Sequence, residues 1–173
     1  MIFNWFRGND LFYDEVFRKL KQSNVAYLVV GGIAVALYGA VRLTSDADII
    51  LELSVENVEK FIKAIGELGY KPKLPVDPQD FANPQIRESW IEEKGMKVFP
   101  FWHPDRPLEI IDVFVRNPIN FQEMDNEKVV KKAMGLEVPI PSLRHLIELK
   151  KQAGRDQDLK DIERLEMLHG KTE

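Results

Sequence analysis

The sequence contains no cysteine, so disulfides, thiolate nucleophiles and zinc–cysteine sites are all excluded. It also lacks an apolar run of roughly 20 residues, the length that spans a bilayer. Its first residues, MIFNWF, have neither the charged start nor the longer apolar stretch of a signal peptide. We therefore expect a cytoplasmic protein with no membrane segment, whose mature form is the whole chain.

A net positive charge is missing as well. The chain has 24 Lys and Arg against 28 Asp and Glu, a formal net charge of -4. Nucleic-acid-binding domains that depend on electrostatic attraction usually have a pI above about 9, whereas this chain has a pI near 5.5. These totals disfavour that class, although they leave room for a local basic patch.

No internal repeat or low-complexity tract is present, and 173 residues with 45% hydrophobic composition predict a single domain, residues 1–173. Its core is expected over about 9–118 and a helical C-terminal extension over about 119–173. The apolar and aromatic residues at the start are expected to pack on the core, with a subunit contact as the alternative; these are Ile2, Phe3, Trp5 and Phe6.

Apolar periodicity predicts helices and strands that alternate through the first half of the chain. The expected elements are a helix from Asn9 or Asp10 to Gln22, a strand over Val25–Val30, a helix over Ile33–Tyr38, a strand over Asp46–Leu53, and a helix from Ser54 to Gly69. This order predicts an α+β fold in which a mixed β-sheet packs against flanking helices.

The second half is predicted from its prolines and its short apolar runs. The expected elements are a loop over 70–84, a helix over Gln85–Lys94, a hairpin formed by Met96–His103 and Leu108–Val115, a short helix around Phe121, a small hairpin about Gly135, and two helices separated at Gly154. The run before Gly135 is also compatible with a helix.

Three aspartates fall on predicted strands. Asp46 and Asp48 are two residues apart, so their carboxylates project from the same face. On the later strand Asp112 shares a side with Leu108, Ile110 and Phe114, and a carboxylate in such an apolar row normally protonates, pairs or binds a metal. The set suits two Mg²⁺ ions, with Mn²⁺ as a substitute. Alternatively, Asp46 and Asp48 are surface residues beside a turn.

Gly31 and Gly32 lie between a predicted strand and a predicted helix. Glycine at such a point lets backbone amides approach phosphate oxygens, and the helix N-terminus adds favourable polarity. A tight turn without any ligand is the alternative. Because Asp46 and Asp48 follow the glycine pair closely in the sequence, the phosphate-binding interpretation is favoured.

These features together resemble the nucleotidyltransferase superfamily with the polymerase-beta-like fold. The chain is most similar to small prokaryotic members that include nucleotidyltransferase toxins of abortive-infection and toxin–antitoxin systems. The resemblance covers about 25–115 by motif and extends through LeuIleGluLeuLys at 146–150 and ArgAspGlnAspLeuLysAspIle at 155–162. The residues that carry it are Gly31, Gly32, Arg42, Thr44, Asp46, Asp48 and Asp112.

The resemblance implies transfer of a nucleoside monophosphate from an NTP such as ATP to an acceptor, with release of pyrophosphate. Gly31 and Gly32 would cradle the β and γ phosphates, while Asp46 and Asp48 would bind both metal ions. Asp112 would bind the metal nearer the acceptor and help deprotonate it. The acceptor would be an RNA end such as tRNA, a protein or a small molecule, and the toxin members imply a cognate antitoxin.

One position departs from the family's pattern. Many members follow the glycine pair with Ser or Thr, which hydrogen-bonds a phosphate, whereas this chain has Ile33. Phosphate binding would then depend on backbone amides and on Arg42, Thr44 or Ser45. A non-catalytic module that keeps the fold and binds a nucleotide or a partner is therefore the alternative function.

The tail carries further charged candidates. By the resemblance, Lys150 and Arg155 would reach back to the cleft and neutralise triphosphate charge. The alternative is a solvated helix face, since Asp158 and Asp161 are like-charged at i, i+3 spacing. Lysines 128, 131, 132, 150 and 151 could form a basic rim for an RNA or protein acceptor, although a solvated charge run is favoured. The histidines at 103, 145 and 169 lack ligand spacing and are expected at packing or surface positions.

Overall fold

A computed structural model of the protein describes residues 6–7, 10–11 and 13–171. A short 3₁₀ helix over Pro78–Ala82 accompanies the strands and α-helices of this part of the chain. In chain order these are β1 (Phe6–Arg7), β2 (Asp10–Leu11), α1 (Asp14–Gln22), β3 (Tyr27–Val30), α2 (Gly31–Leu37), β4 (Ala47–Leu51), α3 (Val55–Glu67), β5 (Lys71–Pro72), α4 (Pro84–Lys94), β6 (Val98–His103), β7 (Arg106–Phe114), α5 (Phe121–Asn126), β8 (Val129–Ala133), β9 (Leu136–Ile140), α6 (Leu143–Ala153) and α7 (Asp156–His169).

Five strands form one mixed sheet in the order β3-β4-β7-β6-β5. β4 runs antiparallel to β3 but parallel to β7, while β7, β6 and β5 are antiparallel to one another. A parallel pair needs a long connection, which the elements from α3 to β6 supply. The predicted α+β class with a mixed sheet is therefore confirmed.

The two faces of this sheet are covered unequally. On one face Ile111 and Val113 of β7 are fully buried in the main core, together with Phe17 of α1 and Phe61 of α3. On the other face a smaller cluster joins Leu28, Ile50, Phe121 and Met124, so helix α5 covers only one end. Burying each such side chain contributes about 1.5–3 kcal/mol to the free energy of folding. The part of the second face that lies beyond the smaller cluster stays partly open.

The position of Asp112 on β7 differs from the prediction. Its row is apolar but only partly buried: Leu108 is 74% exposed, Ile110 and Asp112 are partly exposed, and Phe114 packs on the smaller cluster. The strand carries apolar residues on both faces, so alternation alone could not identify the buried one. The buried carboxylate of β7 is instead Glu109, which accepts a hydrogen bond from the Tyr70 hydroxyl at 2.6 Å.

Several helices and strands begin or end at residues other than those predicted from the sequence. Helix α1 begins at Asp14, because Asp10–Leu11 pairs as β2 with β1. The predicted loop over 70–84 contains β5 and the 3₁₀ helix; Pro72 fits because β5 is an edge strand, and Pro78 occupies the first turn of the helix. The predicted packing of Ile2, Phe3, Trp5 and Phe6 concerns side chains outside the described part of the chain.

The C-terminal elements agree with the prediction. Strands β8 and β9 pair as a hairpin about Gly135, so the helical alternative for this run is wrong. Helix α6 ends at Gly154 in the left-handed conformation, and α7 then packs against α6. Among the described residues no helix combines the length and the apolar character needed to cross a membrane. The division into a core and a C-terminal extension stays a prediction.

Candidate active site

The central pair of parallel strands brings the predicted carboxylates together. The register pairs Asp48 of β4 directly with Asp112 of β7, and residues paired in this way point to the same face. Asp46 immediately precedes β4, two residues before Asp48, and therefore shares that face. All three carboxylates interact electrostatically. The site thus lies on the partly open face of the sheet.

The backbone of Gly31 packs directly against the carboxylate of Asp48. Its φ of +63° lies in the left-handed region, which other residues adopt only at a cost. A Cβ atom built on Gly31 would lie 2.0 Å from Asp48 Oδ2, so no side chain fits at this position. Gly32 makes a second close approach, since its Cβ would lie 2.8 Å from Thr44 Cβ. The glycine pair is therefore packed directly against the two segments that flank Asp46.

The electrostatics of the three carboxylates favour a bound cation. Burial raises the pKa of Asp48 to about 7, and the negative charges of Asp112 and Asp46 contribute to the rise. Burial and the charge of Asp46 also raise the pKa of Asp112, while Lys73 opposes the rise. A positive ion among these oxygens would favour the ionised carboxylates, and so oppose the effect of burial and of their mutual repulsion.

The donor set fits a hard divalent cation in its chemistry. The three side chains offer only carboxylate oxygens, the ligands that Mg²⁺ and Mn²⁺ prefer. In the structure the Asp46 carboxylate accepts a hydrogen bond from the Ser45 hydroxyl at 3.0 Å. Across the described residues no group of three His, Asp or Glu side chains is already arranged as a metal site.

The C-terminal helices place two basic residues at the same cleft. A cavity of about 280 Å³ is lined by Gly31, Asp48, Lys150 and Arg155, with an apolar wall that includes Leu149. The charges of Lys150 and Arg155 act on Asp48 and oppose the rise in its pKa. The tail therefore reaches the glycine turn. Lys150, Asp158 and Asp161 are buried, whereas the side chain of Arg155 is 77% exposed.

A buried ion cluster holds this tail in place. Asp158 and Asp161 are 1% and 0% exposed, and the Lys150 ammonium lies 3.2 and 2.8 Å from them. Arg42 Nε lies 3.1 Å from Asp161 Oδ1, which ties the crossing before β4 to α7. Burial is the strongest single effect on Asp161 and acts against its ionisation. The hydrogen bonds from Lys150 and Gln157, together with the charges of Lys150 and Arg42, outweigh it and lower the pKa of that carboxyl.

The remaining candidates for phosphate binding contact protein groups. Thr44 packs on Gly32 and donates its hydroxyl proton to the backbone oxygen of Asp46 at 3.3 Å. Ser45 donates to the Asp46 carboxylate, and Arg42 binds Asp161. The Ile33 side chain is buried in the main core, so it does not face the cleft.

The predicted basic rim does not form a single surface. Lys150 is buried in the ion cluster, Lys128 pairs with Asp125 at 2.7 Å, and Lys131 lies over the ring of Tyr38 at 4.8 Å from its centroid. The three histidines occupy packing or surface positions, as predicted: His103 and His145 are buried, and His169 is exposed.

Tyr13 is a residue of this site that the sequence did not reveal. Its hydroxyl lies within hydrogen-bonding distance of the backbone oxygens of Ser45 and Ile110 and accepts the Ile110 N–H at 3.1 Å. It thus joins the residue before Asp46 to the strand that carries Asp112. A tyrosine on the buried side of a helix needs a hydroxyl partner, but the sequence does not identify that partner.

No protein-family model matches this sequence, and no curated protein matches it either. Solved structures do match, at low sequence identity. The lincosamide antibiotic adenylyltransferase LnuA, bound to lincomycin, is 16% identical with a TM-score of 0.58, over 91% of this chain and 94% of that chain. ANT(2″)-Ia in complex with adenylyl-2″-tobramycin is 12% identical with a TM-score of 0.57, over 88% and 84%.

A third match is a Thermotoga maritima protein described as a nucleotidyltransferase. It is 14% identical with a TM-score of 0.54, over 86% of each chain. The three matches cover 86–91% of this chain. The chain therefore has the fold of the nucleotidyltransferase superfamily.

Proposed function

We propose that the protein is a nucleotidyltransferase, which moves a nucleoside monophosphate from an NTP to a hydroxyl acceptor and releases pyrophosphate. The observation that carries this proposal is the direct pairing of Asp48 with Asp112, with the backbone of Gly31 packed against Asp48. Two proteins of this fold, LnuA and ANT(2″)-Ia, are antibiotic-modifying enzymes, which supports a catalytic role for the fold.

Asp46, Asp48 and Asp112 would hold Mg²⁺ or Mn²⁺, with two ions expected. The support is the oxygen-only donor set together with the raised pKa values of Asp48 and Asp112. When bound, the metal supplies charge neutralisation on the phosphates and on the leaving pyrophosphate.

The other residues would bind and orient the substrates. The backbone of Gly31 and Gly32 would face the phosphates, and Lys150 and Arg155 would offset their charge from the opposite side of the cleft. The acceptor oxygen attacks the α phosphorus, the bond to pyrophosphate breaks, and the acceptor proton passes to Asp112.

Arg42, Thr44 and Ser45 would act mainly by shaping the segment that leads into Asp46. Their side chains bind Asp161, the Asp46 backbone oxygen and the Asp46 carboxylate respectively. The use of ATP rather than another NTP, a cognate antitoxin and a cytoplasmic location stay predictions.

The experiment uses each of the four NTPs, labelled at the α phosphate, with Mg²⁺ and a mixture of tRNA, cell protein and small hydroxyl compounds. We expect label transfer and pyrophosphate release, both abolished in Asp48→Asn and in Asp112→Asn. Asp125→Asn, which alters an ion pair on α5, is the control. Absence of transfer with all four NTPs would contradict the proposal, and NTP binding without pyrophosphate release would favour the non-catalytic module.

A further inference from the structure

The cavity beside Asp48 extends along the sheet beyond the carboxylates. The backbone N–H of Val115, three residues after Asp112, donates to the Lys97 oxygen at 3.1 Å, so Lys97 lies three rows from the paired Asp48 and Asp112. A strand advances about 3.3 Å per residue, which places these rows about 10 Å apart along the sheet. Asp48 and Lys97 both line the cavity. It therefore connects the carboxylates to a region that a ribose and a nucleobase can reach.

Part of the cavity wall between these rows is apolar. Phe114 lies two residues after Asp112 on the same face of β7, and Leu149 lines the cavity from α6. Both side chains pack against the smaller cluster of the second face, which holds them in position. Every nucleobase has a π face that stacks on an aromatic ring. Phe114 and Leu149 would thus bind a nucleobase without selecting one.

Lys97 is the cation of this wall that has no partner in the described chain. The Lys150 ammonium and the Arg155 guanidinium lie 3.2 and 2.7 Å from carboxylate oxygens of Asp158. Lys97, in contrast, makes neither an ion pair nor a side-chain hydrogen bond with any described residue. An ammonium group only donates hydrogen bonds. Lys97 therefore presents a donor to whatever occupies the cavity.

Gln152 presents the complementary group from α6. It also lines the cavity, and its amide nitrogen donates to Glu148 Oε1 at 3.0 Å. A carboxylate only accepts hydrogen bonds, so the amide nitrogen must face Glu148 and the amide oxygen remains for a ligand. The wall therefore offers a donor from Lys97 and an acceptor from Gln152.

A donor combined with an acceptor discriminates between nucleobases. On the edge away from the ribose, guanine and uracil have a carbonyl oxygen next to a ring N–H, whereas adenine and cytosine have an amino group next to an unprotonated ring nitrogen. Lys97 and Gln152 match the first arrangement. With the second arrangement Lys97 would face another donor and Gln152 another acceptor.

We propose that the NTP of this protein carries a keto base, guanine or uracil, whose carbonyl oxygen binds Lys97 and whose ring N–H binds Gln152. The proposal rests on the proposed function, because it names the substrate of that transfer. It makes ATP and CTP the poorer substrates. The transfer itself is unchanged: the acceptor oxygen attacks the α phosphorus and pyrophosphate leaves.

The test measures, by calorimetry with Mg²⁺, the affinities for α,β-methylene analogues of ITP, ATP, UTP and CTP, which cannot release pyrophosphate. ITP differs from ATP only in the keto group and its adjacent ring proton, and UTP differs from CTP in the same way. We expect each keto analogue to bind about 5- to 150-fold more tightly than its amino counterpart, the discrimination that a well-placed pair of hydrogen bonds gives. The tighter of the two keto analogues identifies the base as a purine or a pyrimidine.

Variants assign that preference to the two side chains. Lys97→Met removes the ammonium group but keeps the length of the side chain, so the ratio of keto to amino affinity should fall towards 1. Gln152→Leu should reduce the same ratio. Lys94→Met is the matched control, since Lys94 is an exposed lysine of α4 that does not line the cavity, and it should leave the ratio unchanged.

The outcomes separate the two proposals. Equal affinities for keto and amino analogues, with label transfer intact, overturn the assignment of the base and leave the transferase in place. If Lys97→Met weakens all four analogues equally, Lys97 acts on the phosphates and the assignment is also overturned. A keto preference without any label transfer supports the assignment but overturns the transferase. Absence of both binding and transfer overturns both proposals.

Discussion

Gly31 and the carboxylate of Asp48 approach each other so closely that a single added methyl group would overlap the carboxylate, 2.0 Å from Oδ2. The contact joins the first residue of α2 to the second residue of β4. Because Gly31 has no side chain, its backbone lies directly against the carboxylate of Asp48. The glycine is therefore a requirement of the site rather than of the turn alone.

Gly31→Ala is expected to abolish most transferase activity. The new methyl group must displace Asp48, and a misplacement of about 1 Å at a reacting centre costs about 100-fold in rate. Gly95→Ala is the matched control because Gly95 has a φ of +60° but no atom within 4 Å of its Cβ position. Both variants bear the backbone cost of about 1–2 kcal/mol. Equal losses of activity would show that contact with Asp48 is irrelevant.

Tyr13→Phe is expected to lower the free energy of unfolding by about 1–3 kcal/mol, because the Ile110 N–H loses its acceptor and the backbone oxygens of Ser45 and Ile110 lose the single proton that the hydroxyl offers them. It should also weaken Mg²⁺ binding, since Tyr13 connects the segments that carry Asp46 and Asp112. Tyr27→Phe is the control: both tyrosines pack against Phe17, but the buried Tyr27 hydroxyl has no hydrogen-bond partner in the described structure. Urea unfolding and Mg²⁺ titration measure the two effects.

For that control we expect no loss of stability, because removing a buried hydroxyl without a partner removes an unfavourable group. A destabilisation of Tyr27→Phe equal to that of Tyr13→Phe would contradict the role assigned to the Tyr13 hydroxyl.

Asp161→Asn is expected to destabilise the fold by about 3–5 kcal/mol, since breaking a buried ion pair leaves Lys150 and Arg42 without their shared partner. Asp125→Asn removes one partner of the partly exposed pair with Lys128 and should cost less than about 1 kcal/mol. Chemical denaturation of the two variants measures the difference. Similar midpoints would mean that the buried cluster does not hold α7 in place.

The stability of the metal-free protein should depend on the ionisation of Asp48. Its folded-state pKa of about 7 lies above its ordinary value of 3.8, so the folded state holds the proton more tightly. This stabilisation is complete below about pH 4 and is lost as pH rises to about 7. The free energy of unfolding, measured in EDTA, should therefore fall over that range by on the order of a few kcal/mol.

Asp48→Asn is the comparison for that experiment, because a neutral amide cannot lose a proton. Its stability should change much less between pH 4 and 7, so at pH 8 the variant should be the more stable protein. Added Mg²⁺ should stabilise wild type at pH 8 and have little effect on the variant. An identical fall in both proteins would contradict the raised pKa.

The sequence predicted the parts of the site that depend on local pattern. Local sequence is enough to place Gly31 between a strand and a helix. The two-residue period of a strand is enough to predict that Asp46 and Asp48 share a face. The sequence also identified Asp112, but not its direct pairing with Asp48 or the partial exposure of its face, because apolar residues occupy both sides of β7.

Other parts depend on residues that are remote in sequence. Asp158 and Asp161 look mutually repulsive at their spacing, and their burial makes sense only with Lys150 and with Arg42, which is 119 residues from Asp161. The partners of Tyr13 are equally distant, since Ile110 lies 97 residues along the chain. The periodicity of the local sequence does not predict contacts between residues that are this far apart in the chain.

The ion cluster has a consequence for how the cleft is assembled during folding. Lys150 can leave water at acceptable cost only when α7 has delivered Asp158 and Asp161, and Asp161 in turn needs Arg42 from the first third of the chain. A nascent chain that has not yet produced α7 thus has its carboxylates but no closed cleft. The protein should acquire its affinity for triphosphate only when its last helix docks.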